Sequence, residues 1–183
     1  MTNRLTVIAG PTAVGKGTVV RQILATDNNV HLSVSATTRP PRPGEVNGRD
    51  YFFLSHDEFD QMITDGEMLE YAVVHGANKY GTPRKPVEEA LSAGKQVILE
   101  IDIQGARQVR KSMPEALLVF IAPPSWQELE RRLASRGTES ADEQKRRLET
   151  AKTELDAQSE FDAVVINQDV AKCAHEVLDL IQA

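Results

Sequence analysis

A glycine-rich turn between two apolar segments constrains the fold of this chain more than any other feature. The first segment is a continuous apolar run from Leu5 to Ala9, and the second is an amphipathic stretch from Gly17 to Ala25. The turn and the start of the second segment comprise Gly10, Pro11, Thr12, Ala13, Val14, Gly15, Lys16, Gly17 and Thr18. A strand, a loop of this spacing and a helix are typical of a Walker A loop, in which backbone N–H groups and the lysine surround phosphate oxygens. The segment therefore predicts a nucleoside triphosphate site.

The loop departs from the strict Walker A pattern directly after Lys16. The strict pattern has Ser or Thr at that position, whereas this chain has Gly17 and places a hydroxyl one residue later, at Thr18. Because that hydroxyl is the usual loop ligand of Mg²⁺, direct ligation of the metal by the loop stays open. The competing interpretation is a glycine-rich turn that carries a surface lysine.

Three further apolar runs follow the loop, and each is short and rich in β-branched residues. They cover Val97–Ile101, Leu117–Ile121 and Ala163–Ile166, and segments of helical period separate them. Strands that are buried on both faces and joined by helices form parallel βαβ units. We therefore predict an α/β fold with a mostly parallel sheet that is flanked by helices.

The segment from Arg39 to Asp50 interrupts this alternation. It contains three prolines, two glycines and three arginines, and the strand-like stretches Tyr51–Leu54 and Met68–Val74 follow it. A Ser-x-x-Glu capping box that begins at Ser55 predicts a short helix in the same region. A second interruption lies near Arg136–Ala141, so we predict one core sheet with two insertions.

Composition and charge exclude several classes of protein. The chain has 183 residues, one cysteine and a net charge of −6. One cysteine excludes a disulfide framework, and the negative charge argues against sequence-independent binding to nucleic acid. The apolar runs are too short for a membrane span, and the N-terminal residues do not predict a secretory signal. We therefore expect a cytoplasmic single-domain protein with no nucleic-acid partner and no membrane attachment, and the sequence leaves open whether it is a monomer or a homo-oligomer.

Two arginines in the proline-rich segment form a second candidate anion site. Arg39 and Arg42 carry planar guanidinium groups that suit a phosphate, and the prolines stiffen the segment that holds them. The hydroxyls of Tyr51 and Tyr80 are further candidate donors. The alternative interpretation is a solvated arginine-rich loop.

Two acidic residues, Glu100 and Asp102, stand at the end of the run Val97–Ile101. An acidic residue at this place resembles the Walker B residue that acts on the Mg²⁺ shell, and strand alternation places both carboxylates on the same face. The alternative is that either residue caps the helix that follows.

Seven short blocks distributed along the chain form one pattern. They are Ser33–Tyr51, Met68–Tyr71, Tyr80–Thr82, Leu99–Gly105, Phe120–Ser125, Arg136–Glu139 and Val165–Asn167. In order and spacing these blocks resemble the guanylate kinase family over essentially the whole chain, and they are far more specific than the phosphate loop alone. The resemblance implies a P-loop core at about residues 1–34, 83–135 and 148–183, a small α+β GMP-binding insertion at about 35–82, and a lid over ATP at about 136–147.

The resemblance implies an acceptor site for GMP. Its residues are Ser35, Arg39, Arg42, Glu45, Tyr51, Glu70, Tyr80, Gly81, Thr82 and Asp102. The arginines and tyrosines match the residues that hold the GMP phosphate, and Glu45 fits a residue that orients the arginines, with an ordinary surface carboxylate as the alternative. The guanine-reading positions fall on Ser35, Glu70, Thr82 and Asp102. A carboxylate accepts hydrogen bonds from guanine N1–H and N2–H₂, which adenine does not present.

The donor site and the catalytic residues are implied in the same way. ATP contacts fall on loop residues 10–18 and, after the last strand, on Asn167 and Asp169. Catalytic positions fall on Lys16, Arg132, Arg136 and Arg147, and Mg²⁺ contacts fall on Thr18, Glu100 and Asp102. Arginines on a closing lid neutralise charge on the transferred phosphoryl group. The alternative is that the i,i+4 pairs Glu128–Arg132 and Glu143–Arg147 lie on the exposed face of a solvated helix.

The resemblance implies a Mg²⁺-dependent kinase that transfers the γ-phosphoryl group of ATP to GMP, and we expect dGMP to be an acceptor as well. A monophosphate is mostly dianionic at neutral pH, so its oxygen attacks without a general base. The alternatives are a catalytically inactive guanylate-kinase-like module that binds phosphopeptides, a regulatory NTPase and an adenylate kinase. The loop departs from the common family pattern at Thr12, Ala13 and Gly17, which leaves magnesium ligation open.

Overall fold

The computed structural model describes residues 3–74, 77–134 and 141–183, and in the last range it describes side chains from residue 145 onward. These residues form nine strands and seven helices. The strands are β1 (Leu5–Ala9), β2 (Val30–Leu32), β3 (Ala36–Thr37), β4 (Phe52–Phe53), β5 (Met68–Val74), β6 (Asn78–Pro83), β7 (Gln96–Glu100), β8 (Leu117–Ala122) and β9 (Ala163–Ile166). The helices are α1 (Lys16–Thr26), α2 (His56–Thr64), α3 (Arg84–Ser92), α4 (Ile103–Ser112), α5 (Trp126–Ala134), α6 (Ala141–Asp156) and α7 (Val170–Gln182), and a 3₁₀ turn (Ala157–Glu160) precedes β9. None of the described helices combines the length and the apolar composition that a membrane crossing needs.

Five parallel strands form the core sheet in the order β2-β7-β1-β8-β9. Neighbouring residues of a strand face opposite sides: Val7 and Leu99 pack toward α3 and α4, whereas Ile8 and Ile98 pack toward α1 and α7. Because helices cover both faces of the sheet, the strands are apolar at nearly every position. The prediction of an α/β fold with a parallel sheet flanked by helices is confirmed.

The segment between β2 and α3 forms a second sheet of four strands in the order β4-β3-β6-β5. The pairs β5–β6 and β3–β6 are antiparallel, and β3–β4 is parallel. A small apolar core that includes Ala36, Phe59 and Met68 lies between this sheet and α2. The predicted strand Met68–Val74 is observed as β5, but the predicted strand at 51–54 is only the two residues of β4, because Tyr51 pairs with the preceding turn.

Helix α2 begins at the predicted capping box. The Ser55 hydroxyl accepts the N–H of Glu58 at 3.2 Å, and the Glu58 carboxylate accepts the N–H of Ser55 at 2.7 Å. These reciprocal bonds satisfy backbone donors that the first helical turn leaves without partners. They define the start of the helix and thereby the position from which Phe59 enters the small core.

Helix α4 covers the open edge of the second sheet. The Oε1 of Gln108 accepts the N–H of Tyr71 at 3.0 Å, and its Nε2 donates to the Tyr71 carbonyl at 2.9 Å. The hydroxyl of Ser112 donates to the Leu69 carbonyl at 2.7 Å. A helix of the core therefore occupies the place of a further strand, and it attaches β5 to the segment that follows β7.

Replacing Phe59 with Ala is expected to lower the free energy of unfolding by about 3–5 kcal/mol. Phe59 is fully buried in a core of few residues, so the cavity left by the ring has little to fill it. Val73→Ala is the matched control on the same sheet, because the Val73 side chain is 60% exposed and its loss should change stability by less than about 0.5 kcal/mol. Urea denaturation followed by circular dichroism measures both variants. Equal losses of unfolding free energy in the two variants would show that Phe59 does not organise this core.

Candidate active site

The phosphate loop requires glycine at two positions. A Cβ on Gly10 would lie 2.3 Å from the carbonyl oxygen of Ile121, and a Cβ on Gly15 would lie 2.8 Å from the Nδ2 of Asn167. The first contact is with backbone and cannot relax cheaply, and Gly15 also adopts a φ of +95°, which favours glycine. Ala13 also adopts a left-handed φ of +67°, which costs a residue with a Cβ about 1–2 kcal/mol.

The carbonyl oxygen of Val14 attaches the loop to the rest of the core. It accepts a buried hydrogen bond from the Nδ2 of Asn167 at 2.8 Å and another from the Nη1 of Arg132 at 3.1 Å. The Nη2 of Arg132 donates to the Asn167 carbonyl at 3.3 Å, so the end of β9 and helix α5 hold the loop together. Asp169 caps α7 by accepting the N–H of Lys172 at 2.9 Å. The expected contacts of Asn167 and Asp169 with adenine stay predictions.

Lys16 turns back along its own loop. Its Nζ donates to the carbonyl of Gly10 at 2.6 Å and to that of Pro11 at 3.3 Å. The open cavity beside the lysine has a volume of about 400 Å³. It is lined by Thr12, Ala13, Gly15, Lys16, Gly17, Thr18, Arg21 and Glu100. The fold therefore brings most of the predicted loop residues to one cavity, together with Arg21, which the motifs did not indicate.

Glu100 brings a carboxylate to the position at which the strict loop pattern has a hydroxyl. A Cβ on Gly17 would lie only 3.3 Å from the Oε1 of Glu100, and the Thr18 hydroxyl accepts a hydrogen bond from Arg21 at 3.1 Å. Protein sites bind Mg²⁺ through one or two carboxylates together with substrate phosphates and water, and the oxygens present here fit that mode. Across the described ranges, no cluster of three His, Cys, Asp or Glu side chains could hold a metal by itself.

A second cavity of about 410 Å³ opens between the core and the second sheet. It is lined by Leu32, Ser33, Val34, Ser35, Arg49, Asp50, Tyr51, Thr82, Leu99, Glu100 and Ile101. Three predicted acceptor-site residues, Ser35, Tyr51 and Thr82, meet in this cleft. Glu100 lines both cavities, so the cleft adjoins the phosphate loop at one side chain.

Glu45 holds Arg39 in a two-pronged ion pair. The Nη1 and Nη2 of Arg39 donate to the two carboxylate oxygens at 2.9 Å each, and one of these oxygens also accepts the N–H of Arg42 at 2.7 Å. The hydrogen bond with Arg39, followed by that from the Arg42 backbone, lowers the pKa of the Glu45 carboxyl. The guanidinium lies 5.3 Å from the centre of the Tyr51 ring, and the ring centres of Tyr51 and Tyr80 lie 6.1 Å apart. Three predicted residues thus surround Arg39, whereas the side chain of Arg42 is exposed.

Glu70 and Thr82 form a buried pair between β5 and β6. The Thr82 hydroxyl donates to the Oε1 of Glu70 at 2.7 Å. Burial raises the pKa of the Glu70 carboxyl, the hydrogen bond from Thr82 opposes the rise, and the charge of Asp102 adds to it. A Cβ on Gly81 would lie 2.6 Å from the Glu70 carbonyl, and one on Gly105 would lie 3.1 Å from the Oε2 of Glu70. Gly81 therefore allows β6 to approach the backbone of Glu70, and Gly105 allows helix α4 to approach its carboxylate.

Asp102 caps helix α4, which is the alternative that the sequence left open for it. Its Oδ1 accepts the N–H of Gly105 at 2.7 Å. Strand β7 ends at Glu100 and Asp102 follows it in an extended conformation, so the expectation that both carboxylates share one face stays a prediction. Glu100 lines the loop cavity and the cleft, whereas Asp102 lines another cavity between α4 and α6.

The predicted lid arginines have different surroundings. The Nε of Arg132 donates to Glu128 at 2.8 Å, so the i,i+4 pair does form, while Nη1 binds the loop at Val14 and Nη2 binds the carbonyl of Asn167. Hydrogen bonds from Arg131 and Arg132 lower the pKa of Glu128 to about 2. Arg147 is half-buried on α6. Arg136 lies outside the described residues.

Sequence motifs did not indicate Glu154, although it contacts the phosphate loop. Its Oε2 accepts the N–H of Thr12 at 3.1 Å. Glu154 follows Arg147 by seven residues on α6, so the two side chains share one face of the helix. That spacing from a predicted lid arginine is the signal that could have identified Glu154.

Replacing Glu70 with Gln is expected to raise the melting temperature at pH 7.5. The pKa of Glu70 is higher in the folded than in the unfolded chain, so its contribution to stability is fully present below the unfolded pKa and is lost as the pH rises through the folded pKa. Gln keeps an oxygen for Thr82 and carries no charge. The difference in melting temperature between the variant and the wild type should therefore shrink toward zero at about pH 4.

Differential scanning fluorimetry across this pH range measures the effect of the Glu70 substitution. Glu149→Gln, an exposed position on α6, is the control and should leave the melting temperature unchanged throughout. A gain in melting temperature that does not vary with pH would contradict the assignment of the effect to the Glu70 charge.

Known proteins that are similar to this chain match it along nearly its whole length. The family model described as guanylate kinase matches residues 2–183. A guanylate kinase from Leifsonia xyli subsp. xyli is 62% identical over 97% of this chain and 70% of the relative, and one from Thermobifida fusca is 55% identical over 98% of this chain and 91% of the relative. The crystal structure of guanylate kinase from Anaplasma phagocytophilum is 33% identical and matches with a TM-score of 0.72 over 99% of this chain and 86% of that chain. A match of this extent shows that the chain belongs to the guanylate kinase family.

Proposed function

We propose that this protein transfers the γ-phosphoryl group of ATP to GMP and releases ADP and GDP, with Mg²⁺ accompanying the nucleotide. The observation that carries the proposal is the position of Glu100, which lines both the phosphate-loop cavity and the cleft beside the second sheet. A donor in the first cavity and an acceptor in the second would have adjoining phosphates, as direct transfer requires. Membership of the guanylate kinase family supports the same reaction.

The donor side is formed by residues 10–18 at the start of α1. Backbone N–H groups of this loop and the N-terminus of the helix suit the phosphates of ATP. Lys16 now donates to two loop carbonyls, and in the complex its ammonium would move to the β- and γ-phosphate oxygens. Asn167 and Asp169 follow β9, and we assign them to the adenine side.

The acceptor phosphate would bind Arg39, Arg42, Tyr51 and Tyr80. Glu45 fixes the Arg39 guanidinium before any phosphate arrives, which lowers the entropy that binding costs. The GMP phosphate is mostly dianionic at neutral pH, so its oxygen attacks the γ-phosphorus without a general base. The site accordingly needs cations and hydroxyl donors.

Guanine would be read by Glu70, with Ser35, Gly81, Thr82 and Asp102 around it. The Glu70 carboxylate accepts hydrogen bonds, and guanine offers N1–H and N2–H₂ where adenine offers neither. A buried carboxylate without these donors is costly, so AMP should bind poorly. The hydrogen bond from Thr82 orients the carboxylate toward this task.

Charge on the transferred group would be neutralised by Lys16, Arg132, Arg136 and Arg147. When bound, Mg²⁺ supplies further neutralisation of the phosphate oxygens, and Thr18, Glu100 and Asp102 are the residues that would face its shell. We assign residues 1–34, 83–135 and 148–183 to the core, 35–82 to the GMP-binding insertion and 136–147 to a lid that excludes water.

We favour this kinase over the inactive phosphopeptide-binding module. The loop retains Lys16, Gly10 and Gly15, and the curated relatives at 55–62% identity are named guanylate kinases. We also propose dGMP as an acceptor and the cytoplasm as the place of action, with small nucleotides rather than nucleic acid as partners.

ADP release from ATP tests the reaction when it is measured with GMP, AMP or no acceptor, each with and without Mg²⁺. We expect turnover only with GMP and Mg²⁺, a loss of about 100-fold or more in kcat for Lys16→Ala, and a sharp loss of kcat/KM for GMP in Glu70→Ala. Lys172→Ala, which removes an exposed lysine of α7, should match the wild type. Turnover with AMP in place of GMP would mean that the pocket is misassigned. Binding of GMP without turnover would favour the binding module.

Replacing Glu45 with Gln tests the orientation of the acceptor arginine. The variant keeps one oxygen but loses the two-pronged ion pair, so the KM for GMP should rise about tenfold with little change in kcat. Steady-state kinetics at saturating ATP measures both constants, and Glu115→Gln, at an exposed residue before β8, is the control. A rise in the KM for ATP instead would place Arg39 on the donor side.

A further inference from the structure

Helix α6 reaches the phosphate loop through Glu154. The Oε2 of Glu154 accepts the N–H of Thr12 at 3.1 Å, and the side chain is partly buried. Burial raises the pKa of this carboxyl, and the hydrogen bond from Thr12 and the charge of Lys16 oppose the rise. The loop therefore supplies both the hydrogen bond and the positive charge that make a partly buried carboxylate tolerable here.

The next residue of the loop packs against a cluster to which the same helix contributes. Ala13 packs against the apolar cluster that Leu129 and Leu133 of α5 form with Ala151 of α6. The Ala13 methyl group makes this contact although its backbone adopts a left-handed φ. Thr12 thus contacts α6 through its N–H, and Ala13 packs against the cluster that α5 and α6 form together.

The contact with Glu154 lies on the face of α6 that also carries Arg147. Seven residues separate the two side chains, which places them on one face about 10 Å apart along the helix axis. The position of α6 relative to the loop therefore determines how far Arg147 lies from the loop. Ala151, between them, is fully buried against α5, so the helix has a firm support at its middle.

We propose that Glu154 is a positioning residue that holds the Thr12 segment of the phosphate loop against α6 and thereby sets the distance between the loop and Arg147. This inference rests on the proposed function, because it assigns Arg147 to the transferred phosphoryl group. It assigns Glu154 no contact with either nucleotide. The loss of Glu154 should accordingly slow the transfer step more than it weakens the binding of GMP.

Three substitutions of Glu154 separate its hydrogen bond from its charge. Gln retains an acceptor oxygen at the same reach, Asp retains the charge but is one methylene shorter, and Ala retains neither. Glu149→Ala is the matched control, because Glu149 is an exposed acidic residue on the same helix. Steady-state kinetics gives kcat and the KM of each substrate, and NMR hydrogen exchange of the Thr12 amide, measured without nucleotide, reports the contact itself.

We expect Glu154→Ala and Glu154→Asp to lower kcat about tenfold or more, with the KM for GMP changed less than about twofold. The Thr12 amide should exchange about tenfold faster in both, while Glu154→Gln and the control stay close to wild type in kcat and in exchange. If the Ala variant does not fold, the Asp and Gln variants give the same comparison.

Wild-type kcat in Glu154→Asp, or an equal loss in the Asp and Gln variants, would overturn the proposal. A kcat loss with unchanged Thr12 exchange would overturn it as well, because the contact would then be intact. Absence of GMP phosphorylation by the wild type would instead defeat the proposed function, and the exchange of Thr12 would still show whether Glu154 holds the loop.

Discussion

The carbonyl oxygen of Val14 accepts hydrogen bonds from Asn167 and Arg132, and the arrangement of the site depends on this pair of bonds. Asn167 stands directly after β9, and Arg132 belongs to α5, so two separate parts of the core determine where the loop lies. The Asn167 amide can approach because Gly15 has no side chain. The loop therefore receives its shape from the core, and helix α1 begins in a defined direction toward the phosphate cavity.

Charged groups around the two cavities are matched to partners within the protein. Glu45 holds Arg39, and Glu128 holds Arg132. Pairs of this kind restrict long side chains before a ligand arrives, which lowers the entropy that binding costs. Glu70 is different, because its neighbours are a hydroxyl and a second carboxylate, and burial disfavours its charge. The Thr82 hydroxyl compensates that carboxylate in part, and a ligand with hydrogen-bond donors would compensate it further.

Local patterns predicted the parts of the structure that depend on neighbours in sequence. The phosphate loop, the apolar strands of the core and the capping box at Ser55 all follow from spacing within a few residues. The observed strand β7 begins and ends only one residue before the predicted strand Val97–Ile101. Contacts between distant segments left no such pattern. Asn167 and Val14 are 153 residues apart, and Glu154 and Thr12 are 142 residues apart. The short strand β3 escaped prediction for the same reason, since it exists only through pairing across the second sheet.

The amide of Gln108 has a consequence for how copies of this chain behave in concentrated solution. An open strand edge presents unpaired N–H and C=O groups on which a second molecule can add a strand, and such additions start aggregation. Gln108 satisfies both backbone groups of Tyr71, and Ser112 satisfies the carbonyl of Leu69. Two polar side chains of one helix thus protect the first half of β5 from self-association without the addition of another strand.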